Sequence, residues 1–212
     1  MDWRSWHEAY DNPTAPLALR LQTVQAHIRA VLSASPPGPL RVVSICAGQG
    51  RDLIGVLADH PRRGDVRARL VELDDSNTAF ATESARVAGL ARVEVVTGDA
   101  SLADAYRGTV PAEVVLFCGV FGNITDADIE RAISFCPQLC RTGGSVIWTR
   151  NRRAPDRVPL ICERFEAQGF ERASLSLDDD YGVGTHRFIG ESRPLAPAAR
   201  MFTFVGYDKL PR

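Results

Sequence analysis

Five short apolar segments, each followed by a helical pattern, constrain this chain of 212 residues more than any other feature. They lie at 41–46, 68–73, 92–98, 112–119 and 144–150. The helical stretches after them are 50–59, 76–88, a short piece near 101–106, 126–140 and 155–168. Apolar strands that alternate with helices need a sheet covered on both faces, so they read as parallel strands of a doubly wound α/β fold. Two further strands, 170–177 and 184–190, have no helix between them and read as an antiparallel pair. The expected architecture is therefore a mostly parallel, seven-stranded sheet with a C-terminal antiparallel hairpin. Asp126 is the expected cap of its helix; Pro155 falls in the first turn of the next, and Gly169 just past its end.

Upstream, Pro16 to Ala34 has Leu17, Leu21, Val24, Ile28 and Val31/Leu32 at helical spacing. "SASPPGPL" (33–40) breaks the chain with three prolines and a glycine. The expected organisation is one domain: an N-terminal helical cap (1–36), a ligand-binding core (41–190) and a C-terminal extension (191–212).

A formal net charge of −1 gives no global attraction to nucleic acid or an anionic membrane. No segment approaches the roughly 20 apolar residues of a membrane span. The N-terminal "MDWRSWHEAYDNP" lacks the apolar core of a signal peptide, which predicts a cytoplasmic protein. Five cysteines, an odd number, fit reduced thiols used as small core residues.

Ligands in such a fold bind at the carboxyl ends of the strands, near the switch point beside the first strand. There the chain reads "ICAGQGRD", with Ala47-Gly48-Gln49-Gly50 as the turn. Gly48 and Gly50 let the backbone approach a ligand or take positive φ. The second strand ends at Glu72, 22 residues after Gly50, where a carboxylate can accept from both ribose hydroxyls. Asp74, Asp75 and Ser76 read as helix-capping residues. Leu53 stands where a dinucleotide fingerprint would have its third glycine. The third strand ends "TGDAS"; Asp99 can accept from an adenine amino group and the Ala100 N–H can face a ring nitrogen, or Asp99 can cap the turn after it.

Together, "VVSICAGQGRD", "LVELD" and "VTGDA" resemble the glycine-rich, ribose and adenine motifs of the class I S-adenosylmethionine-dependent methyltransferases. The resemblance covers roughly residues 41 to 190 and includes the terminal hairpin. It implies S-adenosylmethionine as cofactor. It further implies that the loop from Cys46 through Ala47, Gly48, Gln49 and Gly50 lines the methionine part. Glu72 would bind the ribose and Leu73 pack on the adenine. Asp99 and Ala100 would hold the adenine edge, and Cys118 and Gly119 would lie beside the sulfonium. Two positions depart from the family pattern: Ser44 replaces an acid and Cys46 replaces the first glycine.

The fourth strand ends "LFCGVFGNIT", without the Asn/Asp-Pro-Pro-aromatic motif of many amino-methylating enzymes and without the aspartate of metal-dependent ones. Hard oxygen ligands for Mg²⁺ are missing there, so no metal is expected. Asp178-Asp179-Asp180 reads as a solvated hairpin turn. Asn123 is the polar group best placed to orient a substrate, or else it caps the turn; Phe121 can pack nearby. Trp3, Trp6, His7 and Tyr10 fall at helical spacing on a segment that can cover the pocket, with His7 as a candidate base, Tyr10 as a further candidate catalytic residue and aromatic faces that can attract a sulfonium, or else the aromatics dock the segment to the domain. Arg150, Arg152 and Arg153 can clamp an anionic group or face solvent. His186 reads as structural, His27 as helix surface and His60 as a loop residue. The expected activity is metal-independent methyl transfer to a small-molecule acceptor. The alternatives are a fold that binds the nucleoside without transferring methyl and, third, an NAD-dependent oxidoreductase.

Overall fold

A computed structural model describes residues 12, 14–206 and 210 of the chain. Among them, helix α1 (Pro16–Ala34) precedes β1 (Leu40–Ile45), α2 (Arg51–Leu57), β2 (Val66–Glu72), α3 (Asp75–Val87) and β3 (Val93–Thr97). A 3₁₀ turn (Ala103–Tyr106), β4 (Ala112–Phe117), α4 (Asp126–Leu139), β5 (Cys140–Asn151), α5 (Val158–Ala167), β6 (Phe170–Leu177) and β7 (Tyr181–Phe188) follow. The strands form one sheet in the order β3-β2-β1-β4-β5-β7-β6. β1 to β5 are parallel, and β7 lies antiparallel between β5 and β6. The expected doubly wound sheet and closing hairpin are both present. The order reverses between β1 and β4, which makes their carboxyl ends the switch point.

Alternate side chains of each central strand feed separate cores, which is why the strands read as unbroken apolar runs. Val42, Val114, Leu116 and Ile147 pack with Val24, Ile28, Leu32, Leu53, Leu57 and Ala81 from α1, α2 and α3. Val43, Val115, Phe117 and Trp148 pack on the other face with Ile129, Ile133, Ile161 and Phe165 from α4 and α5. Helix α1 is thus a full member of one layer. No helix among the described residues is long and apolar enough to cross a membrane.

Several local expectations change. Thr125, not Asp126, caps α4: its hydroxyl accepts from the Asp128 N–H at 3.1 Å, while Asp126 pairs with Arg157 at 2.7 Å. Pro155 precedes α5 rather than lying in its first turn. The helix starts at Val158, with Pro159 in its first turn and the Asp156 carboxylate accepting from the Val158 N–H at 2.9 Å. β5 begins at Cys140, directly after α4, and so is longer than its sequence pattern. The closing strand ends at Phe188 and starts earlier than expected, at Tyr181.

His27 is buried rather than on the helix surface. Its ring bonds Thr185 Oγ1 at 2.8 Å and Ser176 Oγ at 2.9 Å, so it docks α1 onto the hairpin. Loop residue His60 is also buried and holds the Ser33 hydroxyl at 3.2 Å. Asp178 accepts from the Asp180 and Tyr181 N–H groups at 2.8 and 2.6 Å, which makes the acid triplet a hairpin turn.

His186 is fully buried between Trp148 and Phe165, and its Nδ1 accepts from the Trp148 indole N–H at 3.0 Å. Burial pushes its pKa down to about 4 from the ordinary 6.5, helped by the charge of Arg172. The folded protein therefore keeps His186 neutral at pH values where the unfolded chain has already taken up a proton. Stability from this residue is complete above pH 6.5 and falls as pH drops to about 4, by roughly 3 kcal/mol in all. Urea unfolding of wild type and His186→Gln from pH 7.5 to 4.5 should show a shallower pH slope in the variant. Parallel slopes would contradict the assignment.

Candidate functional site

A cavity of about 490 Å³ opens at the carboxyl ends of β1 to β4. Its floor is the turn after β1, where the backbone takes three positive φ values: Cys46 (52°), Gly48 (55°) and Gly50 (65°). Glycine accepts this region without cost, whereas Cys46 pays about 1–2 kcal/mol for it. Cys46 thus holds a backbone conformation that glycine favours. Ser44 is buried within β1 and does not reach the cavity.

Glu72 holds this turn from the neighbouring strand. One carboxylate oxygen accepts from the Gly48 N–H at 2.8 Å and the other from the Asp74 N–H at 3.0 Å. Asp74 then caps α3 through the Asn77 N–H at 3.0 Å, as the sequence implied. A chain of three hydrogen bonds therefore links the β1 turn, the β2 end and α3. Beside it, Leu73 is 71% exposed and faces the cavity, an apolar surface with no core function.

At the β3 end, Asp99 accepts from the Ser101 N–H at 2.9 Å and its hydroxyl at 2.6 Å, and from Arg200 at 2.9 Å. Partial burial raises this carboxyl, but the Ser101 bonds and the Arg200 charge outweigh it and hold it below the usual range. Asp99 thus braces the turn after β3, and its pairing with Arg200 had no sequence signal. At the β4 end, Gly119 has φ 84° and its N–H donates to Thr149 Oγ1 at 2.8 Å. Burial drives the Cys46 and Cys118 thiols well above the ordinary range, so both remain protonated.

Of the expected cofactor residues, Cys46, Ala47, Gly48, Gln49, Glu72, Leu73, Asp99, Ala100, Cys118 and Gly119 line this cavity. Gly50 does not. It is buried as the left-handed residue before α2, packed under Ile54 and Leu70. The Asn123 side-chain amide turns back to donate to Gly119 O at 2.7 Å, and the Asn123 backbone carbonyl accepts from the Val205 and Gly206 N–H groups, so the residue braces the β4 loop. His7, Tyr10, Trp3 and Trp6 lie outside the described residues. Arg152 is engaged with Asp156 and the Asp178 carbonyl. Neither Arg150 nor Arg153 lines the cavity.

Sequence reasoning missed several cavity residues. Arg20 and Asp52 are each only 9% exposed, yet both line the wall. The signal for Arg20 was present: it lies three residues after Leu17 and four before Val24, on the apolar face of α1. Phe202 and Phe204 come from the tail after β7. This segment crosses the sheet edge through a bridge between Leu102 and Arg200 and a Met201 N–H bond to the Ser101 carbonyl at 2.8 Å.

No family model matches the chain, and no curated protein matches it. Solved structures do. One is an O-methyltransferase family protein from Burkholderia thailandensis, with a TM-score of 0.67 and 17% identity; the match covers 88% of this chain and 60% of that one. A magnesium protoporphyrin IX methyltransferase from Synechocystis with bound SAM gives a TM-score of 0.67 and 13% identity, covering 88% of this chain and 90% of that one. The third is a 1,6-didemethyltoxoflavin-N1-methyltransferase from Burkholderia thailandensis with bound 1,6-didemethyltoxoflavin and S-adenosylhomocysteine. It has a TM-score of 0.65 and 17% identity, over 88% and 84% of the two chains.

Gly50→Ala tests the rigidity of the turn. A methyl there would lie 2.8 Å from both Ile54 Cδ1 and Leu70 Cδ2 at a φ of 65°. A loss of about 1–3 kcal/mol in urea unfolding is expected, and an unchanged midpoint would show that the turn yields easily. At these identities the likeness is one of architecture, and the chain has the Rossmann-like fold of S-adenosylmethionine-dependent methyltransferases.

Proposed function

We propose that this protein is an S-adenosylmethionine-dependent methyltransferase acting on a small molecule in the cytoplasm. The observation that carries this reading is Glu72, whose carboxylate closes on the Gly48 N–H at the rim of the switch-point cavity. Each carboxylate oxygen can accept more than one hydrogen bond. After bonding Gly48 and Asp74, Glu72 retains capacity for two vicinal hydroxyls of a ribose. Leu73 beside it offers an apolar face for a base, and the Ala100 N–H and Asp99 lie one strand farther along. Ala47, Gly48, Cys118 and Gly119 give a close backbone approach for the rest of the molecule. These residues fit the cofactor that the sequence motifs imply.

When bound, the cofactor supplies a methyl carbon activated by a positive sulfur. The chain would contribute alignment and exclusion of water. Leu21 and Val24 from α1 and Phe202 from the tail give the cavity apolar walls on two sides. Asn123 would position the β4 loop through Gly119. His7 and Tyr10 remain candidate proton acceptors for the substrate. At the β4 end Cys118 and Gly119 line the cavity, and neither offers the oxygen cage Mg²⁺ takes, which supports a metal-independent reaction. Free cysteines, three of them buried, suit a reducing compartment.

A second reading, binding of the nucleoside without methyl transfer, draws support from Cys46 at a glycine conformation and from Arg200 on Asp99. Calorimetry with S-adenosylhomocysteine, S-adenosylmethionine and NAD, followed by turnover on a broad acceptor panel, separates the readings. Binding of NAD alone would overturn the proposal, and tight cofactor binding without any turnover would favour the second reading. Glu72→Ala should weaken nucleoside binding by about 1.5–3 kcal/mol, the scale of a charged hydrogen bond. Unchanged affinity would remove Glu72 from the ribose site.

A further inference from the structure

We infer that Arg200 is a positioning residue for the base end of the cavity: by holding Asp99 it leaves that carboxylate one acceptor direction, suited to an exocyclic amino group, and it brings the C-terminal strap 199–206 into the ligand site. The inference rests on the adenosylmethionine reading and specifies what fixes the end of the cavity that would take the base.

An ionised carboxylate offers roughly four lone-pair directions, about two on each oxygen. Asp99 Oδ1 accepts twice from one residue, from the Ser101 N–H at 2.9 Å and from the Ser101 hydroxyl at 2.6 Å, and is filled. Oδ2 accepts from Arg200 Nη1 at 2.9 Å, and the same nitrogen also donates to the Ser101 hydroxyl oxygen. Partial burial raises the Asp99 carboxyl, but the Ser101 bonds and the Arg200 charge outweigh it, so the group stays ionised and can only accept. Asp99 lines the cavity, and the direction left on Oδ2 is open to one N–H of a ligand. Without Arg200, Oδ2 would lose this partner and the carboxylate would be free to turn about its Ser101 bonds.

Arg200 stands at the head of the strap. The Ala103 N–H donates to the Ala199 carbonyl at 2.9 Å, the Met201 N–H to the Ser101 carbonyl at 2.8 Å and the Val205 N–H to the Asn123 carbonyl at 2.9 Å. Met201 is thereby tied to the β3 turn and Val205 to the β4 loop, and the order β3-β2-β1-β4 sets these strands three spacings apart. Three spacings amount to about 14 Å, close to the reach of four extended residues, so the segment between the anchors runs nearly straight. Alternation along an extended chain then puts Phe202 and Phe204 on one side, and both line the cavity. The Arg200–Asp99 pair is half exposed, 48% and 39% at the side chains, and an ion pair of that kind adds little to folding stability. Its effect is therefore expected in ligand binding rather than in unfolding.

The test is calorimetry on the full chain with two ligands, S-adenosylhomocysteine and its analogue with hydrogen in place of the 6-amino group. Wild type should prefer the amino ligand about tenfold or more, the scale of one hydrogen bond to a charged group. Arg200→Gln should cut that preference to about threefold or less, with a urea midpoint close to wild type. Arg200→Lys keeps a cation beside Asp99 and should restore most of the preference. An unchanged preference in Arg200→Gln, with both ligands weakened equally, would give Arg200 a merely structural role and overturn the inference. Equal affinity of wild type for the two ligands would overturn it as well, whether or not a variant folds, and would leave the adenosylmethionine reading standing. Failure of wild type to bind either ligand would overturn that reading and this inference with it.

Discussion

The Glu72 carboxylate is the joint on which the cavity depends. The turn after β1 takes positive φ at Cys46, Gly48 and Gly50, a conformation with few internal hydrogen bonds to hold it. The Gly48 N–H would otherwise point into the cavity without a protein partner. Glu72 fixes it and, through the Asp74 N–H, ties the same carboxylate to the start of α3. The geometry of the floor is thereby set by a side chain from the adjacent strand. On the proposed reading, the group that meets the ribose is also the group that shapes the turn. Ligand binding and loop order then share one residue, and the bound hydroxyls would reinforce a contact already made.

Two segments outside the strand–helix repeat complete the enclosure. Helix α1 packs Val24, Ile28 and Leu32 into the core shared with α2 and α3, and turns Arg20 and Leu21 to the cavity. Gln25 anchors it further by donating to the Arg51 carbonyl at 2.9 Å, at the start of α2. From the opposite side, residues 199–206 cross the sheet edge: Ala103 bonds the Ala199 carbonyl, and Val205 and Gly206 bond the Asn123 carbonyl. The tail thus ties the β3 turn to the β4 loop and lays Phe202 along the cavity between them.

The sheet was legible because its physics is repetitive. Each parallel strand had to be apolar on both faces, and each helix between had to cover one of them, so "VVSI", "ARLVE" and "EVVLF" announced themselves. The glycine turn, Glu72 and Leu73 were legible for a related reason: their position at strand ends is fixed by the repeat. What could not be read was contact across distance. Asp99 looked equally suited to a base edge or a turn cap, and only the return of the chain at Arg200 reveals its ion pair. His27 looked like helix surface because Thr185 and Ser176, which satisfy it, are far along the chain. Pro155 seemed to start a helix, but Asp156 and Pro159 together set the start at Val158.

The variant first motif gains a physical interpretation from the same contacts. An acid at position 44 would be buried in the middle of the sheet beside Leu70 and Leu116, where desolvation of a carboxylate is costly unless a ligand compensates it. Serine avoids that cost. Cys46 accepts a strained φ, but it also fills space against the core on the α4 side, which glycine would leave empty. His27 and Gln25 dock helix α1 onto the hairpin and onto α2, so two residues remote from the cavity set the position of the wall that carries Arg20 and Leu21.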